Sequence, residues 1–354
     1  MKLARLVTLT VALSWAFVLL PACDRPTRGD GQGSDDSGDD AQGGDAIADG
    51  LVDMLWVVDN SNSMASVQAQ VQASMPSLVS ALAARDVDFQ LGVTTTDIEN
   101  AGNGNQGNLR SSASIGELGC GAPSLLTSST GDLVDEFRDL VEVGVSGSGN
   151  ESGLLAAAYA LCKSMDGDFW ASLDDRADED PIKEICGTVP VEERSCNEGF
   201  VREGATVVVV VVSDEGDDAY RSSSLPPQQF VADCVLEHND DPFFGECDCR
   251  LGWMLDFFGG MEQPVVFSTI GPTYQNLDMQ LVWCDDKTVS LPGPCNPFGS
   301  DVCGLDFYQQ AACQTGGLFS PVQVTATDND PSTCTMADFD AITADLIALL
   351  MGES

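Results

Sequence analysis

DMLWVVDNSNSM, residues 53–64, decides how the rest of the chain is read, because an apolar run ends abruptly in five consecutive oxygen-bearing side chains. Residues 54–58 predict a buried strand. Asp59, Asn60, Ser61, Asn62 and Ser63 predict a loop that can turn several oxygens inward, and Val67, Val71, Met75, Leu78 and Leu82 then recur at helical spacing. A strand, an oxygen-rich loop and a helix therefore follow in order. In an open parallel sheet such a loop lies at the carboxyl edge of the strands, where ligands bind.

Alternate residues Asp59, Ser61 and Ser63 offer one carboxylate and two neutral oxygens from a single turn. That suits a hard cation such as Mg²⁺, which takes one or two carboxylates, neutral oxygens and waters at about 2.1 Å. Here the sequence resembles the von Willebrand factor type A (VWA) family, whose metal-ion-dependent adhesion site opens with Asp-x-Ser-x-Ser after the first strand. The resemblance implies an α/β fold, a Rossmann-like doubly wound, mostly parallel sheet flanked by helices. It also implies Mg²⁺, or Ca²⁺ or Mn²⁺, with a ligand carboxylate completing the coordination.

Downstream, residues 89–95 predict a second strand ending in Thr96 and Asp97, residues 109–114 a short edge strand, and Leu133, Phe137 and Leu140 a short helix. The turn Gly147, Ser148, Gly149, Asn150, Glu151, Ser152 and Gly153 leads into a helix with Leu154, Ala158 and Leu161 on one face. A phosphate-cradling glycine loop belongs in the first strand-to-helix turn of its unit, and this turn follows a helical segment, so that reading is rejected. The resemblance makes it the second metal loop, which carries a threonine five residues before a small-Leu pair. Counting back from Gly153 and Leu154 gives Ser148, and the usual threonine is absent. Ser148 would preserve a neutral ligand. Glu151 would add a carboxylate, make the metal less electrophilic toward an acidic partner and favour Ca²⁺; the alternative for Glu151 is a first-turn residue that complements the helix dipole.

TVVVVVVS, residues 206–213, is a continuous β-branched run suited to a strand buried on both faces of a parallel sheet. Asp214 follows it, where the resemblance places the last metal-site carboxylate. Residues 265–270 predict a strand, residues 305–313 a helix, residues 316–319 the approach to a short strand, and Phe339, Ile342, Leu346 and Leu349 the apolar stripe of a last helix. Residues 51–354 are thus expected to form one VWA domain with insertions near 166–204, 219–260 and 284–304. The chain has 13 cysteines; setting Cys23 aside leaves 12, of which eight fall in these insertions, so disulfides are expected to pin long polar loops with little core of their own. A zinc site is a poor competitor, with no pair of CxxC units and one histidine, His238.

Lys2, Arg5, the apolar residues 6–20 and then Leu20, Pro21, Ala22 and Cys23 read as an export signal. Leu, Ala and Cys at these positions resemble a bacterial lipobox, which makes 1–22 a lipoprotein signal peptide and Cys23 the acylated residue that anchors the protein in the cell envelope, facing the periplasm or the cell surface. An ordinary secretory signal is the alternative. Residues 23–50, acidic and rich in Gly, Asp and Ser, are too polar to fold and form a tether.

A net charge of −41 argues against a nucleic-acid partner, since nothing supplies a basic stripe for phosphates. Catalysis has no constellation of its own: no G-x-S-x-G elbow positions a serine near His238. The expectation is a non-enzymatic, lipid-anchored binding protein that recognises a protein or glycan ligand through Asp59, Ser61, Ser63, Asp214 and Ser148 or Glu151. The alternative is a structural envelope lipoprotein whose domain is a metal-independent scaffold.

Overall fold

Ala205–Val212 alternates its valines between two apolar layers, and the computed structural model is built around that strand. The structure describes residues 50–85, 87–100, 102, 104–111, 123–217, 242–271, 307–309, 311–312, 314–321, 323–325 and 334–351. The expected signal peptide, residues 23–49 of the tether with Cys23, His238 and the expected insertion 284–304 lie outside them.

The sheet comprises β1 (Leu51–Val58), β2 (Phe89–Thr95), β3 (Leu126–Thr127), β4 (Ala205–Val212), β5 (Val265–Gly271) and β6 (Phe319–Pro321), in the order β3-β2-β1-β4-β5-β6. All neighbours are parallel except β3, which runs antiparallel to β2. Strands β7 (Gln323–Thr325) and β8 (Cys334–Met336) form a separate antiparallel pair. Because β-strand side chains alternate, Val208, Val210 and Val212 face a core shared with α1 (Ala65–Ala84), α2 (Leu133–Val141) and α7 (Phe339–Met351). Val207, Val209 and Val211 face the other core, shared with α3 (Gly153–Ser164), α5 (Pro181–Gly187) and α6 (Pro242–Gly259). Helices on both faces make this an α/β fold with a mostly parallel sheet.

Register positions the candidate site. Val58 of β1 pairs with Thr95 of β2 and with Val212 of β4. The three strands therefore end at one level, and Asp59, Thr96 and Ser213 leave the sheet side by side. β1 is followed in sequence by β2 on one side while β4 lies on the other, so this edge includes the point where strand order reverses.

Several sequence expectations need correction. β1 begins at Leu51, not Met54, because Asp53 stays inside the sheet: its Oδ1 accepts from Arg202 Nε at 2.7 Å and its Oδ2 from the Arg202 backbone N–H at 2.7 Å. Residues 109–111 of the expected edge strand form no strand, although Arg110 N–H donates to Val93 O at 2.7 Å; the edge is β3, paired with Gln90 and Leu91. Residues 112–114 lie outside the described residues. Segment 166–204 is not a coreless polar loop. It carries α4 (Gly167–Ser172) and α5, buries Leu173, Ile182, Ile185, Val189 and Phe200, and encloses α3 on a second side, which explains why that helix is buried almost all round. At the end of segment 219–260, α6 buries Leu251, Trp253, Met254, Phe257 and Phe258 in the same core, and residues 219–241 lie outside the described residues.

Cys162 of α3 is joined to Cys186 of α5, the disulfide resolved between described residues, and it ties a core helix to segment 166–204. Lys163 reinforces the junction from a nearly inaccessible position, donating to Gln106 O at 2.8 Å, Asn108 Oδ1 at 2.9 Å and Glu193 Oε2 at 2.5 Å. Among the described residues no helix is long and apolar enough to cross a membrane.

Candidate metal centre

Asp59 leads the site. Its backbone N–H continues the sheet by donating to Val212 O at 2.9 Å, and its side chain is fully buried. Oδ1 accepts from the Ser61 N–H at 2.7 Å and Oδ2 from the Ser213 hydroxyl at 2.7 Å. Ser61 Oγ and Ser63 Oγ are 3.0 Å apart, and Ser63 Oγ donates to Asp214 Oδ1 at 3.0 Å. Asp59, Ser61, Ser63 and Asp214 thus form one connected string of oxygens across the ends of β1 and β4. Gln68 of α1 braces it, donating to Asp59 O at 2.9 Å and Gly144 O at 2.8 Å.

The loop before α3 closes the cluster from the β2 side. Glu151 is fully buried; its Oε2 is hydrogen-bonded by the Thr96 hydroxyl, and its Oε1 has no partner. Burial first, and then the neighbouring Asp59 charge, push the Glu151 carboxyl up to about 10. Burial, opposed by the Ser61 N–H and the Ser213 hydroxyl and assisted by the Asp214 charge, raises Asp59 to about 6. Asp214 is raised too, mainly by burial. Glu151 is not spent on the dipole of α3. The first N–H groups of that helix go elsewhere, Gly153 N–H to Tyr308 OH at 3.2 Å and Leu154 N–H to Asp217 Oδ2 at 2.8 Å.

Ser148 is turned away from this cluster. Its Oγ donates to Glu99 Oε2 at 2.8 Å and accepts from the Asn150 N–H at 3.0 Å, while its own N–H donates to Asp97 Oδ2 at 3.0 Å. Asp97, fully buried, is the organiser of this rim: it also accepts from the N–H groups of Glu99 and Asn100, both at 2.9 Å, and from Asn100 Nδ2 at 2.8 Å. Gly147 makes the close approach possible, its N–H donating to Asn60 O at 2.8 Å; a Cβ there would lie 2.1 Å from Asn60 Oδ1.

Of the six metal-site residues expected from sequence, five (Asp59, Ser61, Ser63, Glu151 and Asp214) gather at the β1, β2 and β4 ends, and Ser148 does not. Thr96 and Ser213 were missed. The signal that would have found them is alignment of strand ends: each is the first residue after a strand in register with Val58. Cys23 lies outside the described residues.

A hard cation fits this donor set: two fully buried carboxyls face one another among hydroxyls whose lone pairs are available, and the raised Glu151 carboxyl keeps its proton until a cation takes that proton's place. Among the described residues, however, no three Asp, Glu, His or Cys side chains already converge as a metal cage, because hydroxyls supply much of the set and Asp214 stands behind Ser63.

No protein-family model and no curated protein matches this sequence. Solved structures with some likeness include a von Willebrand factor type A protein from Catenulispora acidiphila, 11% identical over 86% of this chain and 43% of that one, TM-score 0.35. An aerotolerance-related membrane protein from Bacteroides fragilis is 11% identical over 85% of this chain and 98% of that one, TM-score 0.34. The pilus adhesin SpaC from Lactobacillus rhamnosus GG is 11% identical over 48% of this chain, which spans 15% of the adhesin, TM-score 0.26. Likenesses of this size carry no argument about function.

Proposed function

We propose that this chain is a VWA-type binding module, exported and lipid-anchored through Cys23, that uses a divalent cation at the β1, β2 and β4 ends to engage a protein or glycan ligand. The observation that carries this reading is the buried pair Asp59 and Glu151, whose facing carboxyls lack an ion-pair partner among the described residues, with Glu151 Oε1 meeting no donor group beyond that pair. The Asp-x-Ser-x-Ser run and the aspartate after β4 support it.

Asp59, Ser61, Ser63 and Glu151 would hold the cation, with Asp214 acting through Ser63 or directly. When bound, the cation supplies a positive centre with a coordination position for a ligand oxygen. Ser213 and the Ser61 N–H keep Asp59 oriented, Thr96 orients Glu151, and Asp97 ties the surrounding loops together. The chemistry is coordination, not bond breaking. Residues 23–50 hold the domain off the membrane.

The second reading, a metal-independent envelope scaffold, draws support from the hydrogen-bonded string Ser61, Ser63 and Asp214, which satisfies part of the site from within. Calorimetric titration of the metal-stripped, detergent-solubilised protein with Mg²⁺, Ca²⁺ and Mn²⁺ separates the two. Saturable 1:1 binding that disappears in Asp59→Ala supports the binding module; no site-specific heat with any of the three ions leaves the scaffold. Cys23→Ala should release the protein from the membrane fraction, and persistent attachment would count against the lipid anchor.

A further inference from the structure

We propose that Glu151 sets the specificity of this centre: as an additional buried carboxylate it selects Ca²⁺ over Mg²⁺ and turns away ligands that would dock through an acidic group. This inference rests on the cation-binding reading above and narrows it.

Three observations carry it. The first is where Glu151 points. Its Oε2 is held by Thr96, its Oε1 is fully buried and meets no donor group beyond the Asp59 carboxyl it faces, so the carboxyl is oriented into the cluster. The neutral alternative, Ser148, is committed to Glu99.

The second is the supply of buried protein oxygens. Asp59 and Glu151 are fully buried and Ser61 is nearly so, with Thr96 and Ser213 also inaccessible. Mg²⁺ dehydrates reluctantly and keeps several waters in a strict octahedron, whereas Ca²⁺ accepts six to eight oxygens at about 2.3–2.6 Å in a flexible shell. A buried set dominated by carboxylates and hydroxyls matches the second behaviour.

The third is charge. Asp59, Glu151 and Asp214 together exceed the charge of one divalent ion, so the loaded centre stays negative. The rim adds exposed Glu99 and partly exposed Glu215, and the described residues 59–64, 96–100, 144–151 and 213–217 contain no Lys, Arg or His. A carboxylate approaching the partly exposed side, at Ser63 and Asp214, therefore meets an uncompensated negative field. A neutral oxygen, such as a hydroxyl or a carbonyl, does not.

The test is calorimetric titration of the metal-stripped full-length protein with CaCl₂ and with MgCl₂ at matched ionic strength, for wild type, Glu151→Gln and Glu151→Asp. Acetate serves as the acidic probe, read as a shift in the thermal midpoint of the loaded protein at constant ionic strength. Wild type should bind Ca²⁺ more tightly than Mg²⁺ by about tenfold or more. Glu151→Gln should lose roughly 10–100-fold in Ca²⁺ affinity, narrow the ratio between the two ions and acquire a midpoint shift with acetate that wild type lacks. Glu151→Asp, which keeps the charge, should preserve the order Ca²⁺ over Mg²⁺. Unchanged far-UV circular dichroism verifies that the variants are folded; if Glu151→Gln fails to fold, Glu151→Asp and the wild-type ratio still decide. Equal affinities in wild type, a ratio unchanged in Glu151→Gln, or an acetate shift in wild type would overturn the inference while leaving the cation site intact. Absence of saturable binding by either ion would overturn the cation site itself.

Discussion

β1 carries a buried aspartate at each end, and the two have opposite surroundings. At the amino end, Asp53 is inaccessible but meets Arg202, which donates to both carboxylate oxygens and reaches Asp88 Oδ1 at 2.7 Å as well. Burial raises the Asp53 carboxyl, and the Arg202 N–H groups and charge pull it back. At the carboxyl end, Asp59 is equally inaccessible and faces another carboxyl, Glu151, with no guanidinium or ammonium paired to either among the described residues. One end of the strand has its counter-charge built into the chain. The other has none among the described residues, and this contrast is what the proposed cation rests on.

The contrast is most exposed to refutation at Arg202. Arg202→Ala leaves Asp53 buried without its partner and should destabilise the metal-free protein by about 3–5 kcal/mol, measured by urea unfolding. Asp59→Asn removes a charge that has no partner and should cost the metal-free protein no stability. Equal losses in the two variants would erase the distinction between the ends of the strand.

Cation binding should give the next largest effect. At a free concentration one hundred times Kd, a cation that binds the folded state alone stabilises it by about 2.7 kcal/mol. The rise in thermal midpoint should vanish in Asp59→Ala and persist, from a lower baseline, in Arg202→Ala. A rise that survives Asp59→Ala would place the ion elsewhere.

The same facing carboxyls make stability drift with pH. Asp59 and Glu151 are raised from 3.8 and 4.5 to about 6 and about 10, so the folded chain retains protons that the unfolded chain has released. Their contribution to stability is fully present below the unfolded values and is lost as pH rises, first through about 6 and then toward about 10. Metal-free thermal midpoints should therefore fall between pH 5 and pH 8, and a saturating cation, which binds the deprotonated pair, should flatten the decline. A metal-free midpoint that climbs over this interval would contradict the facing-carboxyl arrangement.

The smallest effect belongs to Ser148. Its hydroxyl is spent on Glu99, so Ser148→Ala should leave the cation titration unchanged, whereas Thr96→Val, which strips Glu151 of its hydroxyl donor, should weaken binding. A loss in Ser148→Ala comparable to that in Asp59→Ala would bring Ser148 back into the site.

These differences also mark how far the sequence could be read. β1, β2, β4 and β5 were legible because β-branched or apolar residues run up to a polar stop, and Asp59 and Asp214 stood out because one is that stop after β1 and the other follows Ser213 at the end of β4. The choice between Ser148 and Glu151 was not, since both occupy one glycine-rich turn and their spacing to Gly153 does not show which side chain turns inward. The folding of 166–204 onto α3 was hidden by its acidic composition and by helices of only six and seven residues, too short to repeat the Ile182 and Ile185 spacing. Arg202 was invisible as a partner because 149 residues separate it from Asp53.

The sequence by itself determined β1, β2, β4 and β5 and the helices that follow β1 and close the fold, the oxygen-rich loop at residues 59–63 and the acidic balance, because these follow from local periodicity and composition. The tertiary structure alone decided that Val58, Thr95 and Val212 share a level, that Thr96 and Ser213 therefore flank Asp59, and that Glu151 is buried against it while Arg202 is spent at the opposite edge. Register and burial arise from pairing between segments far apart in the chain, and they determine which carboxylates have a counter-charge and which lack one.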